Sequence, residues 1–287
     1  MSAWLRQRRW LVPYLFLLPG GLWLLIFFLV PMLTMASVSL QEGTLGTGFR
    51  MTFNVGVFPE VLARWDTQFL RSIQYGLIVT LLTILIGYPM AYTIAFRGGR
   101  YKSILLLLVI MPFFTSFIIR TISWKFILAD QGFVLGTAKE IGLLPEAFRV
   151  LGTPTAVIAG ITYNFLPFVV LPLYVALEKI DHRLIEAAND LYASRVQSFL
   201  RVTLPLSLPG LFAGSLLAFI PAVGDYINAE LLSGTPDTVM IGNVVQALYL
   251  QNNDYPQASA ISLILMAGLI VGVIAYTRVL RGQELTA

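Results

Sequence analysis

The sequence contains no cysteine and only one histidine, His182. The first absence excludes a disulfide framework and any thiolate metal site. The second excludes a multi-histidine metal centre. Charge is scarce as well: Asp, Glu, Lys and Arg make up 12% of the 287 residues, about half the share a soluble domain carries. So little charge cannot cover a water-soluble globule of this size. With 57% of the residues hydrophobic, the surplus apolar surface calls for a lipid solvent. The phosphate-binding pattern GxxxxGK[ST] is also missing, so a nucleotide-hydrolysing loop of that kind is not expected in this chain.

What the sequence does have is a series of long apolar runs. A membrane helix needs about 20 mostly apolar residues. Six stretches qualify: 14–40, 69–96, 104–128, 153–177, 208–231 and 256–280. The connections at 41–68, 97–103, 129–152, 178–207 and 232–255 are polar and rich in Gly and Pro. Arg6, Arg8 and Arg9 precede the first run. A cleavable signal peptide starts alike, but its apolar core is about 7–15 residues. This run is longer and reads as an uncleaved span; the small residues Ala36 and Ser39 are the only hint of cleavage. The expected fold is an all-α membrane protein, one transmembrane domain over residues 1–287 with about six helices.

Lys and Arg in the loops set the orientation. With the N-terminus inside, 12 basic residues face the cytoplasm and 5 face outward: Arg50, Arg64, Arg71, Lys139 and Arg149. Arg120 and Lys125 fall near the outer end of the third span. Both termini are therefore expected to be cytoplasmic. Nine acids, from Glu42 to Asp254, lie in outer segments. They read either as an attraction for cationic solutes near the outer mouth or as solvated loop charges. Pro31, Pro89, Pro112, Pro167, Pro172 and Pro221 fall within spans, where each removes a backbone donor and predicts a kink. Trp10, Trp65 and Tyr276 are expected interface anchors.

The inner loop at 178–207 is the most informative segment. Leu184, Ala187, Ala188 and Leu191 recur at i, i+3, i+4 and i+7, one face of a short helix. From the pattern alone, that helix rests on lipid, serves as a connector, or docks a partner. The residue order adds more: Glu186-Ala187-Ala188 is followed by Leu204-Pro205 and Pro209-Gly210, between two late spans. This arrangement resembles the EAA loop of binding-protein-dependent ABC importer permeases. Tyr192 stands where that family has glycine. Gly87-Tyr88-Pro89, Met111-Pro112-Phe113, Phe219-Ile220-Pro221 with Gly224-Asp225, Glu230-Leu231-Leu232-Ser233-Gly234 and Asn253-Asp254-Tyr255-Pro256 extend the likeness toward the spermidine/putrescine subgroup. The subgroup often has Trp where this chain has Tyr255.

The resemblance implies a type I importer permease with a cytoplasmic coupling helix between spans four and five. It implies two cytoplasmic ATPase subunits that carry the ATP and Mg, a second permease chain (related or identical), and an extracytoplasmic solute-binding protein. No cofactor in this chain and no nucleic-acid partner are expected. The implied ATPase-coupling residues are Leu184, Glu186, Ala187, Ala188, Leu191, Ala193 and Ser194.

Ionisable residues within spans are functional candidates by default. Asp225 lies 17 residues beyond Leu208, which places it near the outer half of a fifth span. Asp225 and Glu230 could attract ammonium groups, with Tyr226 or Trp124 offering cation–π contact. The structural alternative is an Asp225–Arg120 pair, or an Arg120 that snorkels to the interface. Tyr163, Asn164 and Pro167 could line the pathway or pack between helices. Other solutes remain open: a different organic cation, an amino-acid derivative or an anion. A membrane enzyme would need paired carboxylates, a Ser/His set or metal ligands around one pocket, and a membrane scaffold would not need the EAA loop.

Overall fold

The computed structural model describes residues 11–284. Arg6, Arg8, Arg9 and Trp10 lie outside the described residues, as does the side chain of Arg281. Among the described residues, five helices are long and apolar enough to cross a membrane, or six if a sharply bent pair counts as one span. The contacts divide the chain into two compact units. One joins the described residues up to Arg64 with those from Val245 onward; the other is Trp65–Val244.

In the first unit, helices α1 (Leu11–Leu24) and α2 (Val30–Ser39) are joined by a π-helical turn, Leu25–Leu29. Pro31 has no N–H to offer the preceding turn. The wider turn absorbs the loss, with the Val30 N–H reaching back to Leu25 O. The segment after the first span, read from sequence as a polar connection, folds instead into an antiparallel hairpin, β1 (Gln41–Thr44) and β2 (Gly48–Met51), in which Glu42 faces Arg50. Helix α3 (Val57–Arg64) follows. The last span, α14 (Tyr255–Glu284), completes this unit and packs on α2 and α3.

The second unit is built on α4 (Asp66–Arg97), α8 (Pro154–Glu178) and α11 (Leu204–Val223). Tyr75, Val79 and Ala91 of α4 meet Val157, Ile161, Val169 and Leu173 of α8 and Ala218 and Ala222 of α11. Small residues let these backbones approach, as membrane helices require where lipid offers no hydrophobic drive. A Cβ at Gly214 would lie 3.0 Å from Val169 Cα and 3.1 Å from Val169 O, so any larger residue would have to push the two backbones apart.

Two spans depart from the sequence expectation. The third, predicted as one helix over 104–128, is broken into α5 (Lys102–Ile110), a 3-10 turn at Met111–Phe114 and α6 (Phe117–Ile127), with a bend of 94°. Pro112 begins the break, and Thr115 and Ser116 continue it in extended backbone. The fifth, predicted over 208–231, begins earlier and ends at Val223. Residues 224–226 interrupt it before a short helix, α12 (Ile227–Leu232). The sequence prediction ran through 231 although Asp225, Asn228 and Glu230 interrupt the apolar run there; α12 nevertheless buries its Ala229 and Leu232. The outer helix α7 (Phe133–Glu140), the inner helices α9 (His182–Asp190) and α10 (Arg195–Ser198), and α13 (Ile241–Gln246) complete the list.

Candidate functional site

At the break in the third span the Pro112 carbonyl accepts the Thr115 N–H at 3.3 Å, closing the 3-10 turn, and takes two side-chain donors as well. It accepts from Thr115 Oγ1 and from Arg120 Nη1, each at 2.7 Å. Arg120 also donates from Nε to Asn164 Oδ1 on α8 at 2.6 Å. Asn164 Nδ2 donates to Asn228 Oδ1 on α12 at 2.9 Å. The Asn228 backbone N–H and Nδ2 donate in turn to the two carboxylate oxygens of Asp225, both at 2.8 Å. Thr121 joins from α6, donating to Asn228 Oδ1 at 3.3 Å. Arg120 is 8% exposed and Asp225 7%, with Asn164, Thr121 and Asn228 more deeply buried.

A direct Asp225–Arg120 pair is therefore replaced by a relay. Two carboxamides stand between the charges, each with its oxygen toward the cation and its amide N–H toward the anion. The order satisfies both charges in a buried setting, where unpaired ones are costly. Its origin is local: an Asp three residues ahead of Asn228 accepts that residue's N–H, the arrangement that caps a helix start. Asn228 and Thr121 escaped the sequence reading. The Asp225-x-x-Asn228 spacing at a helix start was the available signal.

The other expected pathway residues separate. Beside the relay, a cleft of about 400 Å³ is lined by Pro112, Thr115, Arg120, Ser123, Trp124 and Tyr163 together with apolar side chains. The Trp124 and Tyr163 rings meet edge to face at 5.2 Å. The guanidinium of Arg120 lies 5.1 Å from the Phe113 ring centre and 5.5 Å from that of Phe117. Asp225, Tyr226 and Glu230 are not among the residues lining this cleft. Tyr226 and Glu230 are exposed. Asn243 Nδ2 donates to Tyr226 O at 3.0 Å and to Glu230 Oε2 at 3.4 Å.

The inner segment forms a handle. Asp181 starts α9 by accepting from the Arg183 N–H at 3.0 Å. Ile185, not Leu184, turns back onto the core of the unit. Leu184 is 48% exposed, Leu191 82%, and Glu186 and Ala187 are exposed; Ala188 is half-buried. The apolar face predicted from sequence is thus mostly uncovered within this chain.

The helix ends with the Ala193 N–H on Ala188 O at 3.1 Å and the Tyr192 N–H on Asn189 O at 2.9 Å. Tyr192 has φ 60° and is 98% exposed. It occupies the left-handed position that favours glycine, so the tyrosine keeps the turn at a conformational cost rather than abolishing it. Ser194 and Gln197 then cap α10 reciprocally: the Ser194 N–H donates to Gln197 Oε1 at 2.9 Å, and the Gln197 N–H donates to Ser194 Oγ at 3.3 Å.

Residues 83–284 match the family of binding-protein-dependent transport system inner membrane components. The chain belongs to this family. This inner membrane component is 38% identical over 257 residues to the spermidine/putrescine transport system permease protein PotB of Haemophilus influenzae, covering 86% of this chain and 88% of that one. It is 34% identical over 252 residues to PotB of Escherichia coli K12, covering 87% and 91%. The permease YdcU of the same organism is 32% identical over 207 residues, covering 68% and 66%. A bacterial transporter of the acidic polysaccharide alginate shares the permease fold, with a TM-score of 0.69 at 23% identity over 96% of both chains. The inward-facing methionine transporter MetNI shares it with a TM-score of 0.56 at 20% identity, covering 78% and 96%. The component is a multi-pass inner-membrane transport subunit of an importer, as the EAA-loop resemblance led one to expect.

Proposed function

We propose that this permease subunit carries polyamines of the spermidine and putrescine kind across the inner membrane. It does so as one transmembrane domain with both termini cytoplasmic. A second permease chain completes the pathway, an extracytoplasmic binding protein delivers the solute, and two cytoplasmic ATPase subunits hold ATP and Mg. The identity with PotB proteins over most of both chains carries the substrate class.

The handle supports the coupling role. Its ends are fixed by Asp181 and by the Ser194–Gln197 box, while Leu184, Ala187 and Leu191 are left open for a groove on the ATPase. Glu186 stands on the exposed surface beside them, where it supplies a polar contact at that joint. A helix held this rigidly passes displacement to the spans it connects.

The test is solute-stimulated ATP hydrolysis in the complete complex, reconstituted in vesicles. Spermidine or putrescine delivered by the binding protein should raise hydrolysis and accumulate inside. Glu186→Lys and Ala188→Asp should abolish that stimulation while the protein stays in the membrane at normal amounts. Wild-type uptake in both variants would remove the coupling role. Stimulation by an unrelated solute alone would remove the polyamine assignment.

A second reading keeps the machinery and changes the cargo to a solute with an acidic group. One observation favours it: the charged side chain that the cleft beside the broken span presents is a cation, Arg120. Competition between spermidine and a zwitterionic or anionic solute in the same vesicles separates the two.

A further inference from the structure

Between the handle and α11 the helix widens into a π-helical turn, Phe199–Thr203, in which the Leu204 N–H reaches back to Phe199 O. π turns inside helices often mark functional positions. This one follows Ser198, whose hydroxyl is buried without a hydrogen-bond partner among the described residues, so the segment is less completely tied down than its neighbours.

The inner end of α4 meets this segment along one stripe. Tyr88, Tyr92 and Phe96 recur every four residues, on one face of the helix. Phe96 touches the ring of His182 at the start of α9, edge to face at 5.4 Å. Tyr92 and Tyr88 both touch Phe199, at 6.1 and 5.5 Å. The Tyr88 hydroxyl is hydrogen-bonded to Ser207 Oγ at 2.7 Å, one turn past the π turn. Tyr88 therefore holds both sides of the joint, by a directional bond on the α11 side and by ring packing alone on the handle side.

We propose that Phe199 and the Tyr88–Tyr92 pair form a bearing through which the handle also drives the second span. Aromatic edges have no register and can slide as the π turn flexes, whereas the Tyr88–Ser207 bond keeps α4 and α11 together. Phe199 is a positioning residue on this account, since it acts through α4 and not on the solute. The proposal rests on the coupling role argued above and adds to it a route to a span that the handle does not adjoin in sequence.

The chain's lack of cysteine allows a direct test. In the full complex, Tyr92→Cys with Phe199→Cys is joined by a short, reducible thiol linker. Tyr88→Cys with Ser207→Cys serves as the comparison. Joining the first pair should lower solute uptake at least about tenfold relative to the unjoined variant, with recovery on reduction. Joining the second should lower it less than about twofold. Phe199→Ala should raise the ATP hydrolysed per solute imported about threefold or more, and Phe199→Tyr should restore the ratio.

Equal effects of the two linkages, or an unchanged ratio in Phe199→Ala with the ATPase subunits still co-purifying, would overturn the bearing and leave the coupling role standing. Failure of both Phe199→Ala and the unjoined Tyr92/Phe199 double variant to assemble would also overturn it, because these rings would then belong to the fold itself. A wild-type complex that retains no ATPase would overturn the coupling role and the bearing together.

Discussion

The buried relay and the inner handle use the same small polar residue types to opposite ends. In the relay, Asn164 and Asn228 spend their side chains on other helices, drawing α6, α8 and α12 together between two charges. In the handle, Asp181, Ser194 and Gln197 spend theirs on their own backbone. The relay hides its residues from water. The handle completes itself locally and leaves apolar side chains such as Leu191 outside. A region closed by long-range polar bonds is a fixed part of the frame. A region capped from within, with its apolar face open, is shaped for something the chain does not contain.

That contrast can be broken most forcefully at Arg120. Arg120→Ala strands Asn164 Oδ1, while Pro112 O keeps its donors from Thr115, and should destabilise the subunit by about 2–3 kcal/mol. A lower thermal midpoint of the purified protein in detergent checks this. An unchanged midpoint would show that the relay does not hold the frame. Gly214→Leu should be comparably severe, because its side chain would enter the Val169 backbone; loss of membrane-inserted protein on a blot is the readout.

Asp225→Asn should act one step lower. Its amide cannot accept from both Asn228 groups, so a loss of about 1–2 kcal/mol is expected. Reduced uptake with an unchanged midpoint would instead make Asp225 a solute contact. In the handle, Ser194→Ala should cost about 1 kcal/mol of local helix stability, seen as faster amide exchange around α10 with the midpoint unmoved. Smallest is Tyr192→Gly. Relief of the left-handed strain and the entropy of glycine partly offset each other, so the Ala193 amide should exchange somewhat more slowly. Tyr192→Val should move the same amide the other way.

Much of this plan was legible in the sequence because lipid imposes simple rules. Run length located the spans, though it carried the third across its break and the fifth past Val223. The broken third span was legible only as a proline. Pro112 marks a lost donor, but at the 94° bend the Pro112 carbonyl also takes a bond from an arginine eight residues on, and that partnership exists only in three dimensions. The relay was hidden for the same reason: Asn164 and Asn228 are 64 residues apart. Residue periodicity marked the face of Leu184 and Leu191 but did not single out Ile185, the residue that turns onto the core. Residue order alone, by contrast, marked the segment at 178–207 as one that resembles the EAA loop.

The bend in the third span also bears on how the chain is made. Its two halves, Gly99–Phe114 and Phe117–Ile127, rise only about 24 and 17 Å, each short of a hydrocarbon layer about 30 Å thick. Neither half crosses the layer by itself, and the corner between them is closed by Thr115 and Arg120 on the Pro112 carbonyl. The guanidinium that covers the corner is steadied by Asn164, which is synthesised later. The corner therefore reaches its final geometry only when the third and fourth spans are both in place, which makes the pair, rather than either span, the unit that is completed.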